Sequence, residues 1–134
     1  VDPIELIVDA DRERAANACA PLFLGIGIGG SFDLAARLAK HALLNMHRIQ
    51  PYSQESSQRA DRCITHTSSP EEIKKLEENL MKRLNSLGIG PMGLGGDTTV
   101  LGLRIEKALC HTASLPVAIN FQCWANRSAT EVIL

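Results

Sequence analysis

The residues of this chain best suited to chemistry are its four cysteines, Cys19, Cys63, Cys110 and Cys123. A thiolate can act as a nucleophile or as a ligand for a soft metal. No two of them stand in a CxxC spacing, which argues against a zinc knuckle. Cys19 follows a stretch with helical periodicity and precedes a proline and a glycine-rich run. Cys110 precedes His-Thr-Ala-Ser. Element ends flanked by small or hydroxyl-bearing residues offer free backbone N–H groups and room for a bulky inorganic ligand. An ordinary buried thiol is the commonest fate of a free cysteine, and the residues alone favour it. Cys63 lies in a polar stretch and reads as incidental. Cys123, beside Trp124 on an apolar run, reads as core.

Two glycine runs come next. Gly25-Ile26-Gly27-Ile28-Gly29-Gly30 fits the GxGxxG dinucleotide template between a predicted strand and a predicted helix. Gly88-Ile89-Gly90-Pro91-Met92-Gly93 fits it as well. The first lacks an acidic residue placed to hold a ribose. The second follows a helix, and Pro91 removes an N–H that would face phosphate. Asp97 stands where a phosphate site wants lysine. A nucleotide-binding or purely structural module therefore stays open only as a rival reading. The glycines serve either tight turns and close packing or contact with a cofactor or substrate.

Elements must position these residues. Asp2-Pro3 starts a helix, with Asp2 as cap and Glu5 placed for a capping box. Ile4, Ile7, Val8, Ala15 and Ala18 give its apolar stripe, and it ends near Cys19-Ala20-Pro21. Leu22 to Ile28 reads as a buried strand. Ser31 caps a second helix, Phe32 to Met46, expected to be mostly buried. Residues 47–69 are polar and aperiodic and read as a mobile surface loop. Ser69-Pro70-Glu71-Glu72 opens an amphipathic helix with Ile73, Leu76, Leu80, Leu84 and Leu87 on one face, ended by Gly88. Val100 to Ile105 and Pro116 to Cys123 read as strands that can pair directly, with Cys110 at their connection. The predicted fold class is α/β, a small mixed sheet with about three helices.

The chain has 134 residues and a net charge of −1, so one domain is expected and a nucleic-acid face is not. No apolar run is long enough to cross a bilayer. No leader is visible, and with an apolar core this favours a reducing, cytoplasmic compartment over disulfides. The chain opens at Val1 rather than methionine, so it reads as a processed chain or an excerpt.

Three segments carry a family resemblance. Asn17-Ala18-Cys19-Ala20-Pro21, leading into Gly25 to Gly30, resembles the CPP segment and glycine strand of the iron–sulfur class I fumarases and tartrate dehydratases. Leu87 to Thr99, LGIGPMGLGGDTT, resembles their glycine loop. Cys110-His111-Thr112-Ala113-Ser114-Leu115-Pro116-Val117-Ala118, running into Gln122-Cys123-Trp124-Ala125, resembles their second cysteine box. The likeness spans nearly the whole chain except residues 47–69. Ala20 replaces a proline, and Asp97 stands where the family usually has lysine.

The resemblance implies the C-terminal portion of a hydro-lyase alpha subunit or domain, with glycine-rich loops lining a cofactor site. It implies a four-iron four-sulfur (4Fe-4S) cluster held by three cysteines, of which Cys19 and Cys110 match two, near Gly93 to Thr98. The third belongs to a CQDTG-like segment outside this chain. The acid–base residues and substrate-binding arginines are outside it too, so catalytic residues within the chain are unknown. One cluster iron without a protein ligand acts as Lewis acid toward a small dicarboxylate substrate. The implied reactions are hydration of fumarate, which the CHTASLPVA box favours, or dehydration of tartrate. Backbone N–H groups near Thr112 and Ser114 are expected to tune the sulfurs. His111 either orients the site or is structural, and Arg127 either meets a substrate carboxylate or pairs elsewhere. The implied partners are a beta subunit or beta domain, within an oligomer.

Overall fold

A computed structural model describes residues 2–46 and 70–125. The expected mobile loop at 47–69, Cys63 and Arg127 lie outside the described residues. The elements are α1 (Pro3–Arg14), β1 (Leu22–Ile28), α2 (Phe32–Asn45), α3 (Pro70–Asn85), β2 (Val100–Lys107) and β3 (Val117–Cys123), with 3₁₀ turns at Ala16–Ala18 and Pro91–Gly93. The three strands form one mixed sheet in the order β2-β1-β3.

Asp2 caps α1 as expected, its Oδ1 accepting the Ile4 N–H at 2.9 Å. The capping box does not close: Glu5 instead accepts from Arg83 Nη2 of α3 at 2.6 Å. α1 also stops earlier than its periodicity suggests, at Arg14, and the 3₁₀ turn carries the chain on to Cys19. Ser31 precedes α2 with an extended backbone, but its hydroxyl lies 2.6 Å from Asp33 Oδ1 and does not cap the helix.

β1 is the middle strand because it has two apolar faces. Leu22, Leu24 and Ile26 are fully buried on one side, against Ile7 and Val8 of α1, Leu80 and Leu84 of α3, and Val100, Leu103 and Ile105 of β2. Complete burial of each such side chain contributes about 1.5–3 kcal/mol. On the other side, Gly25 and Gly27 let α2 lie against the strand. A Cβ at Gly25 would fall on the Ala39 carbonyl oxygen, and one at Gly27 on that of Ala35. Only the sheet-facing stripe of α2 is therefore buried: Ala35, Leu38, Ala39, Ala42 and Leu43. Phe32 and Leu44 point to solvent, against the expectation of a mostly buried helix. Gly27→Ala is expected to lower stability by about 3 kcal/mol, because backbone rather than a pliable side chain blocks the methyl group. A reduced urea midpoint at constant slope is the readout; an unchanged midpoint would mean that α2 can lift off the sheet.

The direct pairing expected between the last two strands does not occur. β2 runs parallel to β1 and β3 antiparallel to it, so β1 separates them. Their connection crosses the C-terminal end of β1. Ala108 N–H donates to Ile28 O, Gly30 N–H to Leu109 O, and Gly29 N–H to Pro116 O. These bonds hold the connection over β1 while each flanking strand takes one edge of it.

Candidate functional site

Cys19 stands three residues before β1, exposed and in left-handed backbone conformation (φ 58°). The glycine loop packs beside it. Met92 N–H donates to Ala20 O at 2.9 Å, and the 3₁₀ turn Pro91–Gly93 touches the turn Ala16–Ala18. The loop is internally braced. Gly95 N–H donates to Ile89 O at 2.8 Å, and Gly90 N–H donates to the fully buried Thr99 Oγ1 at 3.1 Å. Asn85, at the end of α3, holds the start of β2: its Oδ1 accepts the N–H groups of Thr99 and Val100 at 2.9 and 2.8 Å, and its Nδ2 donates to Val100 O. Residues Pro91 to Thr98, Asp97 among them, are exposed at the rim. Asn85→Ala removes three hydrogen bonds and is expected to cost about 2 kcal/mol or more. Faster proteolytic nicking within 88–98 would report it; an unaltered nicking rate would show that the loop holds itself.

Cys123 reaches this same end of the sheet. It closes β3 and stands opposite Leu22 in the ladder. Leu22 is three residues from Cys19, no more than about 11 Å of chain, and ladder partners lie about 5 Å apart. Cα atoms of β3 also come within 8 Å of those of the Ala16–Ala18 turn. The side chain of Cys123 projects on the Leu22 face of the sheet, because opposed residues share a face.

Cys110 is elsewhere. It follows Leu109, whose carbonyl accepts from Gly30 at the opposite end of β1. The seven residues of β1 span about 20 Å at about 3.3 Å per residue. The sheet therefore sets Cys19 before the start of β1 and Cys110 past its end. His111, Thr112 and Ser114 share the remote position of Cys110. His111 Nδ1 accepts the Ala113 N–H, and the Ser114 N–H is already donated to His111 O. Both bonds brace a turn.

The structure thus places Cys19, Cys123 and the glycine loop toward one end of the sheet. Sequence reasoning assigned Cys123 to the core. The available signal was strand length: two antiparallel seven-residue strands put the last residue of one beside the first of the other. Among the described residues no group of three or more His, Cys, Asp or Glu side chains converges to hold a metal ion. The first GxGxxG match forms no phosphate turn, since Gly25 to Ile28 lie within β1 with α2 against the glycines.

Asp11 was also missed. It occupies the stripe position between Ile7 and Ala15, is fully buried, and neither carboxylate oxygen has a hydrogen-bond partner. Burial pushes its pKa up from 3.8 to about 6.

The fold is an α/β module with two thiols and a braced glycine loop toward one end of its mixed sheet. The fumarate hydratase (Fumerase) family model matches residues 3–132. The L(+)-tartrate dehydratase alpha subunit of Escherichia coli K12 is 35% identical, over 97% of this chain and 37% of its own length. A Methanocaldococcus jannaschii protein provisionally named an L(+)-tartrate dehydratase alpha subunit is 47% identical, over 98% of this chain and 42% of its own length. The chain belongs to the class I fumarate hydratase and tartrate dehydratase alpha subunit family of hydro-lyases. It spans about two-fifths of the length of these curated relatives. Among the described residues no helix is long and apolar enough to cross a membrane.

Proposed function

We propose that this chain is the cysteine-bearing part of a tartrate dehydratase alpha subunit, acting with a beta subunit in the removal of water from a small hydroxy-dicarboxylate. Tartrate takes precedence over the fumarate reading of the CHTASLPVA box, because the curated relatives cited are named for tartrate dehydratase. Fumarate hydration is the second reading, supported by the family model.

The observation that carries the proposal is the placement of Cys19 and Cys123 at the one sheet end that the glycine loop also borders. Two soft thiol donors suit an iron–sulfur cluster. Cys19 and Cys123 are the residues of this chain that would hold it, and a further donor comes from outside the described residues. When bound, such a cluster supplies an iron lacking a thiolate, which acts as Lewis acid toward the departing hydroxyl. The chain's own contribution is placement. Cys19 stands exposed in a left-handed turn ahead of β1, and the Met92–Ala20 hydrogen bond fixes the loop beside it. The loop rim presents the exposed apolar side chains of Met92 and Leu94. The proton-transferring groups and the carboxylate-binding cations belong to the parts of the enzyme outside this chain.

The deciding experiment is anaerobic reconstitution of the complete alpha–beta enzyme with iron and sulfide, followed by assay on L(+)-tartrate and on fumarate. Cluster absorbance with faster turnover of tartrate is expected. Turnover of fumarate alone would promote the second reading, and an enzyme active without iron would end the cluster assignment.

A further inference from the structure

The two edges of the sheet are finished differently. The outer edge of β2 is closed by α3. Asn85 takes both the N–H and the carbonyl of Val100, and Glu77 Oε1 accepts the Ile105 N–H at 2.8 Å. β2 also carries the charged residues Arg104, Glu106 and Lys107 and an irregularity in its register. Charge, bulges and side-chain caps are the usual means of keeping an edge from recruiting another strand.

Among the described residues β3 has none of these. Val117 to Cys123, VAINFQC, holds no charge and no proline, and its register with β1 is unbroken over all seven residues. The bond from Gly29 N–H to Pro116 O fixes the alternation of the antiparallel ladder. Ala118, Asn120 and Gln122 turn their backbone groups toward β1. Val117, Ile119 and Phe121 turn theirs outward, and among the described residues β3 pairs with β1 alone. Their side chains lie half-buried against the core, so the strand is packed and held extended with a ready row of donors and acceptors.

We infer that the outer edge of β3 receives a further β-strand from the same alpha subunit, drawn from the polypeptide beyond the two-fifths that this chain spans. The inference rests on the proposed reading of the chain as part of a longer alpha subunit, and the relatives' extra length supplies the polypeptide. β-Strand addition suits such an edge: main-chain hydrogen bonds provide affinity, and an uncharged neighbour avoids repulsion.

Hydrogen exchange on the complete alpha subunit, resolved by residue, tests this. The outward amides of Val117, Ile119 and Phe121 are expected to exchange within about tenfold of the inward amides of Ala118 and Asn120. Outward amides exchanging roughly 100-fold faster or more would overturn the inference. So would protection that appears only as a dimer forms with rising protein concentration, or only when the beta subunit is added, since the occupant would then be a second copy or the beta subunit. Ile119→Pro deletes one outward N–H and leaves the inward ladder intact. It is expected to speed exchange at Val117 and Phe121 while Ala118 stays protected; unchanged outward protection would count against the added strand. Failure of the cluster reading is separately visible, as absent iron with the outward amides still protected.

Discussion

Cys123→Ala in the complete, anaerobically reconstituted enzyme is expected to lose iron and to lower hydro-lyase turnover by more than about 100-fold, while Cys110→Ala keeps both. Cys19→Ala should behave as Cys123→Ala does. The expectation follows from the ladder. Cys123 faces Leu22, three residues from Cys19 and beside the glycine loop. Cys110 lies beyond the other end of β1, about 20 Å away by strand rise, and a cluster a few ångströms across does not bridge that gap. With three thiolates, loss of one leaves two to hold the iron and removes a negative charge that favours the oxidised cluster. Cys123 is half-buried, so alanine also opens a small void. Cys123→Ser preserves the volume and separates the two effects: it should keep the melting temperature and still lose iron. Normal iron in Cys123→Ala together with iron loss in Cys110→Ala would restore the pairing that the family likeness first suggested.

Asp11→Asn is expected to raise stability at pH 7.5 by up to about 3 kcal/mol. Asp11 is fully inside the core with no partner for either oxygen, and burial raises its pKa from 3.8 to about 6. The folded protein therefore holds a proton that the unfolded chain releases between those two values. In that window the native state binds more protons, so the unfolding free energy falls as pH rises, and the full cost is present above about pH 6. Asparagine keeps the shape and cannot ionise. Urea unfolding at pH 3.5, 5 and 7.5 should show the wild type losing stability across the series relative to Asp11→Asn, with the two nearly equal at the lowest pH. A variant less stable than wild type at pH 7.5 would mean that the carboxylate has a partner, for instance in the complete subunit.

Helix existence, strand boundaries and the glycine-ended turns were legible from local chemistry. Asp2-Pro3, the 3.6-residue stripe of α3 and the apolar run Leu22 to Ile28 each act over a few residues, and the structure places those elements where the pattern puts them. The likeness of three segments to one family was also carried by order and identity, without any fold. Side-chain commitments made across space were not legible. Glu5 leaves its capping box because Arg83 of α3 lies within reach, and Asp11 shares its stripe with residues that require burial. The largest decision was strand order. Nothing local distinguishes β2 paired with β3 from both paired with β1. The choice follows from β1 having two buried faces and two edges to satisfy, while the 108–116 connection bonds across its end. Once β1 is central, an antiparallel β3 carries its last residue back to the strand's beginning. That return, rather than any motif, sets Cys123 at the sheet end that Cys19 precedes and leaves Cys110 past the other end.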